Sequence, residues 1–137
     1  MKIVLDDGAY MPERAHPTDA GLDLKTPYDV KIPARGSACI DTGVHLELPN
    51  GYFGKIEGKS GLNVHHGIVS LGGVIDEQYT GSIAVKLYNM TDRDYWFQAG
   101  DKISQLVIMP YMAPILIPAE RLSETERGSQ GFGSTGR

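Results

Sequence analysis

The chain has 137 residues, with 13 Lys and Arg against 17 Asp and Glu and a net charge of −4 with histidines neutral. That length suits one domain that buries about two thirds of the surface its unfolded chain exposes, with no need of disulfides or a structural metal. A single cysteine, Cys39, excludes an internal disulfide framework and a thiolate zinc site, and the acidic balance argues against a broad basic face for nucleic acid. No apolar run approaches the ~20 residues of a membrane span, and the start of the chain turns acidic at Asp6 without a signal-peptide pattern, so a cytoplasmic domain is expected.

In chain order, short period-two or β-branched and aromatic segments predict strands over Lys2–Leu5, Tyr28–Ile32, Ala38–Asp41, Val44–Leu48 and Tyr52–Ile56. A turn or two of helix is expected at Gly61–His66. Strands then follow over Ile68–Leu71, Ser82–Tyr88, Tyr95–Phe97, Ile103–Met109 and Ile115–Ile117. Turn signals separate them at Asp7-Gly8, Asn50-Gly51, Gly72-Gly73, Asn89 to Asp94 and Gly100-Asp101. With 17 glycines and 8 prolines spread along the chain, this is an all-β sandwich or barrel of about ten short strands. Residues 1–123 form the β domain. Residues 124–137 are Gly-rich and read either as a flexible terminal tail or as an arm over a nucleotide, in which Arg127 suits a phosphate and Phe132 a ring.

Two further segments suit chemistry. Gly58-Lys59-Ser60-Gly61 combines a cation, a hydroxyl and two glycines; it lacks the earlier glycine of a P-loop, since Phe53 stands there, and reads as a small anion nest or a plain turn. In Gly72–Gly81, carboxylates follow an apolar stretch directly, which suits Asp76 either to take a proton from water or to cap the turn. His65 and His66 on a strand would diverge, and with His16 and His45 remote they give no metal spacing. Trp96 and Tyr95 are expected in the core or at a subunit contact, Cys39 as a small buried residue, and Asp92-Arg93-Asp94 as a solvated turn.

Taken together, five segments resemble the trimeric dUTPase family. Ala20-Gly21-Leu22-Asp23-Leu24 is similar to its first motif, Gly58–Leu62 to its second, Gly73–Gly81 to its third, Gly100–Leu106 to its fourth, and Arg127–Gly136 to its fifth. The resemblance implies a distorted jelly roll and a dUTP diphosphatase that forms dUMP and pyrophosphate by water attack on the α-phosphorus. It also implies Mg²⁺ held by the substrate triphosphate and waters, with no direct protein ligand. By the same resemblance Asp76 orients and deprotonates the water, and Asp23 holds water in the metal's shell. Lys59, Ser60, Gly61 and Gln105 fall at the phosphates, and Gly72, Gly73, Val74 and Ile75 on the hairpin that reads uracil through its backbone. Tyr79 packs under the deoxyribose. Arg127, Phe132, Gly133, Ser134 and Thr135 fall on the arm that closes over base and γ-phosphate. A homotrimer with sites shared between subunits is implied as well.

Three departures stand out. Lys59 replaces a usual Arg, which loses the bidentate fork. Ser82 stands where an acid is common, and Gln130 where Gly is frequent. Two relatives in function stay open. A dCTP deaminase normally has a longer chain and an Arg after the second-motif serine, where this chain has Leu62-Asn63-Val64. A non-catalytic nucleotide-binding regulatory trimer is the other.

Overall fold

A computed structural model describes residues 1–131. The alternating segments become strands β1 (Lys2–Leu5), β2 (Gly21–Lys25), β3 (Val30–Ile32), β4 (Ser37–Asp41), β5 (Val44–Glu47) and β6 (Tyr52–Glu57). A short helix α1 (Ser60–His66) follows, then β7 (Ile68–Leu71), β8 (Val74–Ile75), β9 (Ala84–Asn89), β10 (Tyr95–Phe97) and β11 (Lys102–Pro110). They form four antiparallel sheets ordered β2-β11-β6-β8, β4-β9-β7, β1-β5 and β10-β3. The architecture is all-β and jelly-roll-like, and the described residues close no barrel.

Period-two patterning drives the packing. In β9, Val85, Leu87 and Asn89 are buried while Ala84 and Lys86 are exposed, and the inward set joins Leu24, Ile40, Ile56, Ile68 and Leu106 in one core. The same alternation corrects one expectation and narrows another. Cys39 lies on the outer face of β4, beside buried Ile40, and is exposed. Trp96 is 65% exposed because its neighbour Phe97 takes the inward position on β10, which removes the core and leaves the subunit contact of the two expected places; its ring lies 5.8 Å from the Lys31 ammonium.

The expected strand at Ile115–Ile117 is absent. Residues 111–120 pair with no strand among the described residues, and Met112, Ile115, Leu116 and Ile117 are all more than 80% exposed. β-propensity is present there, but a ladder needs an edge to pair with. Conversely, Gly21–Lys25, in which Leu22 and Leu24 alternate with Asp23, and the two-residue Val74–Ile75 are strands that the sequence reading missed. The short helix expected at Gly61–His66 forms as α1, and it carries His65 and His66, which therefore do not lie on a strand. The helix stops at Gly67, whose φ of +63° favours glycine and where a Cβ would meet Thr91 Cγ2 at 2.8 Å.

The Asn89–Asp94 turn is more than a solvated link. Buried Asn89 donates to the carbonyls of Ile32 (3.2 Å) and Arg93 (2.7 Å) and accepts from the Thr91 N–H and hydroxyl. Asp92 and Asp94 bind Arg35 and Lys31. Asn89→Ala removes all four of these bonds and leaves the Thr91 hydroxyl on the Arg93 carbonyl at 3.1 Å, so unfolding free energy should fall by about 3 kcal/mol in urea titration. A loss under about 1 kcal/mol would contradict the role given to this knot.

Candidate active site

One half of the candidate site is built on β2, β11 and the turn before α1. A β-bulge sets Ser104 against Leu24 and Gln105 against Asp23, with Lys102 opposite Lys25. Gln105 Nε2 donates to the Gly58 carbonyl at 3.1 Å. Its side chain lies over Gly21, where a Cβ would come within 2.1 Å of Gln105 Oε1; only glycine leaves room. Lys59, Ser60 and Gly61 share a surface cavity with Gln105, Lys102 and His65. The cavity carries two ammonium groups, a hydroxyl and an amide, the donor set an anion requires.

Asp23 lies beneath it, 7% exposed at its side chain, with Oδ1 2.5 Å from Lys59 Nζ and Oδ2 2.6 Å from Lys102 Nζ. Burial alone would raise its pKa. Hydrogen bonds from Lys102 and Lys59, with their charges, outweigh it and hold the carboxyl below the usual carboxylate range. Asp23 thus remains an anion inside a cationic mouth.

The other half is the segment from β7 to β9. Gly72 (φ +74°) and Gly73 (φ +122°) turn the chain so that the Gly73 carbonyl accepts from the Ile56 N–H at 2.7 Å. A Cβ on Gly73 would lie 2.4 Å from Ile56 Cβ, so this backbone is pressed directly on β6. Val74 points out and Ile75 in. The following loop is held by its neighbours. Glu77 accepts from the Gly51 N–H and the Tyr111 hydroxyl, both at 2.8 Å, and these bonds lower its pKa. The Tyr79 hydroxyl donates to the Ser82 carbonyl at 2.9 Å, its ring lying over Gly81. Ser82 bonds Asp41, and the Thr80 carbonyl meets His45 Nδ1 at 2.9 Å.

Asp76 itself is exposed in the single chain, and among the described residues it has no side-chain partner. The Asp76 carbonyl accepts from the Tyr79 N–H at 3.0 Å, so the turn is made by backbone and not by an Asp76 cap. Asp76 and Tyr79 share the exposed loop, and Asp76 lines a groove with Phe53, Val74, Glu77 and Tyr111.

The structure does not bring the two halves together within one chain. Asp23 is three strands from β8 across the order β2-β11-β6-β8, and Ile75 pairs with Gly54 while Gln105 pairs with Glu57. Strand spacing and rise then separate them by about 14 Å across the sheet and about 10 Å along it. Arg127 lies in an exposed turn, Nε donating to the Gln130 carbonyl at 3.1 Å. Phe132, Gly133, Ser134 and Thr135 lie outside the described residues.

Sequence reasoning missed Lys102, Glu77, Tyr111 and His45. Lys102 stands inside the fourth segment and adds a positive charge beside Lys59. The other three are known only through contacts distant in sequence.

His45 carries a pH signature. Its Nδ1 faces the Thr80 carbonyl and its Nε2 faces Asp6 at 3.3 Å, two acceptors that only the imidazolium satisfies together. The Thr80 carbonyl, then Asp6, raise its pKa above the ordinary 6.5. A raised pKa gives stability that is full below the ordinary value and lost as pH rises through the raised one. The melting-temperature gap between wild type and His45→Asn should therefore be widest in acid and close toward alkaline pH; a gap independent of pH would show that His45 binds Thr80 only as a neutral ring.

Comparison with known proteins bears on this geometry. The sequence profile of the dUTPase family matches residues 7–136. The chain is 41% identical over 132 residues to the deoxyuridine 5′-triphosphate nucleotidohydrolase of Paramecium bursaria Chlorella virus 1, covering 96% of this chain and 94% of the relative. Its fold superposes with a TM-score of 0.90 and 30% identity on the dUTPase of Staphylococcus bacteriophage 80alpha solved with dUpNHpp, over 99% of this chain and 98% of the other. A variant dUTPase of phage phi11 of S. aureus, described for its coordination of a structural Mg(II) ion, superposes at 0.82 with 28% identity, over 88% and 96% of the two chains.

Proposed function

The chain belongs to the dUTPase family, and from that premise we propose how its own residues carry the family's chemistry: it hydrolyses dUTP to dUMP and pyrophosphate. The observation that carries this reading is the cavity where Lys59, Ser60, Gly61 and Gln105 gather around one mouth, a donor set fitted to a polyphosphate. In a cell that reaction limits uracil in DNA and supplies dUMP for thymidylate synthesis; the cytoplasm is the compartment proposed. Among the described residues no helix is long and apolar enough to cross a membrane.

Water attacks the α-phosphorus, and Asp76 accepts its proton, because water alone is a poor nucleophile. Lys59, the Ser60 hydroxyl, the Gly61 backbone and Gln105 hold the phosphates and oppose the charge that grows on their oxygens. Gly72, Gly73, Val74 and Ile75 present backbone groups to uracil, the two glycines giving the close approach. Tyr79 fills the space a 2′-hydroxyl would need. Arg127 and the arm residues Phe132, Gly133, Ser134 and Thr135 close over base and γ-phosphate.

The donors fit Mg²⁺ held by the triphosphate and waters. Both Asp23 oxygens are occupied by lysine ammoniums, so Asp23 suits a hydrogen bond to a metal-bound water better than direct ligation. Among the described residues no cluster of acidic and histidine side chains makes a metal cage. When bound, Mg²⁺ supplies positive charge to the phosphoryl oxygens.

A homotrimer completes the site. One chain keeps Asp76 far from Lys59 and Asp23, and it exposes Met112, Ile115, Leu116 and Ile117, an apolar stretch that suits burial against a second copy. The domain is residues 1–123, and residues 124–137 are its arm.

An assay of dUTP with Mg²⁺, following pyrophosphate and ammonia separately, tests the reading. Pyrophosphate alone is expected; ammonia would indicate a deaminase, and neither product a regulatory nucleotide binder. Asp76→Asn should lower turnover by about 10²-fold or more while dUTP still binds. Near-normal turnover would assign the base elsewhere. Tyr79→Ala should narrow the preference for dUTP over UTP, and an unchanged preference would leave Tyr79 as a packing residue only.

A further inference from the structure

Asp23 has one negative charge and two ammonium partners on opposite oxygens, Lys59 at 2.5 Å and Lys102 at 2.6 Å. The bulge in β11 creates this arrangement. With Ile103 and Ser104 together opposite one residue of β2, Lys102 and Gln105 fall on the same face, though three apart in sequence, and both line the anion cavity. A regular strand would have pointed Lys102 to the other face. Lys25 nearby is committed elsewhere, to Glu13 at 2.6 Å. Lys25, Lys59 and Lys102 thus face three carboxylates, Asp23, Glu13 and Asp19, and the mouth is charge-balanced before a ligand enters.

Lys59 has two competing partners once a polyphosphate enters, the ligand and Asp23. If Asp23 had Lys59 alone, every move of Lys59 toward phosphate would strand a carboxylate that is 7% exposed, and removing one partner of a buried pair is strongly unfavourable. The second ammonium removes that obstacle. We propose that Lys102 is a positioning residue for the anion site: it keeps Asp23 paired and oriented while Lys59 transfers from Asp23 to the substrate phosphates. Its effect on the ligand therefore passes through Asp23, which separates it from a residue that grips phosphate itself.

This inference rests on the dUTP reading above, and a double-mutant cycle tests it. The readout is the Kd of dUpNHpp with Mg²⁺, alongside kcat and KM for dUTP. Lys102→Met should weaken dUpNHpp binding about tenfold or more and raise KM more than it lowers kcat, and Lys102→Arg should restore binding to within about threefold. In an Asp23→Asn background Lys59 is no longer held, so Lys102→Met should change Kd by less than about threefold. Equal losses in both backgrounds would make Lys102 a direct phosphate contact and overturn the proposal, as would no loss beside an intact Asp23. Should Lys102→Met fail to fold, Lys102→Gln is read in the same cycle by the same criteria. A wild type that neither binds dUpNHpp nor hydrolyses dUTP sinks the functional reading itself, whereas a competent wild type with an additive cycle sinks only the role of Lys102.

Discussion

Strand β6 is hydrogen-bonded on both sides, to β11 through Glu57 and Gln105 and to β8 through Gly54 and Ile75. Those two registers fix where each half of the site lies. The pairing with β11 sets Gln105 beside Glu57 and the Lys59 turn, and the ladder of β11 with β2 then carries Gln105 to Asp23. The pairing with β8, tightened by the contact of Gly73 on Ile56, sets the Gly72–Gly73 turn and the Asp76 loop at the other side of the same sheet. A one-residue slip in either ladder would turn every side chain in it to the opposite face. The rest of the molecule supports that frame.

The two halves differ in physical character, and the difference matches the tasks proposed for them. Around Asp23 the charges are tightly paired and half-buried, so a polyanion enters by exchange of partners and not by filling an empty cationic hole. Around Asp76 the backbone is pinned by Glu77, Tyr79, Thr80 and Ser82 while the Asp76 carboxylate is left unengaged among the described residues. A rigid loop with one free acid suits a general base, whose geometry must hold while its proton inventory changes. Replacement of the family's usual Arg by Lys59 fits the first half: a compact ammonium transfers between two acceptors without the planar fork that would tie an arginine to one.

Much of this architecture is legible in the amino-acid sequence. Nine of the predicted strands follow from period-two patterning because a half-buried sheet imposes it, and the glycine turns at Gly8, Gly51, Gly72, Gly73 and Gly100 all adopt positive φ. The motif residues Asp23, Lys59, Ser60 and Gln105 do converge. What patterning does not reach depends on partners. Ile115–Ile117 has strand composition with no edge to pair with among the described residues, while Gly21–Lys25 gains its ladder from β11. Residue type alone would bury Cys39, and its strand phase puts it outside; the same phase decides that Trp96 is not in the core of its own chain. Lys102 acquires its direction from a bulge, which no single-strand pattern reveals.

In the proposed trimer, Asp76 of one copy works with Lys59 and Asp23 of another. Asp76→Asn and Lys59→Met trimers, each nearly inactive alone, can be mixed one to one, allowed to exchange subunits, and assayed for pyrophosphate release from dUTP. If the halves come from different chains, random assembly gives about a quarter of sites an intact base and an intact lysine, and activity should recover to about that fraction of wild type. If both halves came from one chain, no mixed site would be whole, and activity after verified exchange would stay at the level of the parent variants.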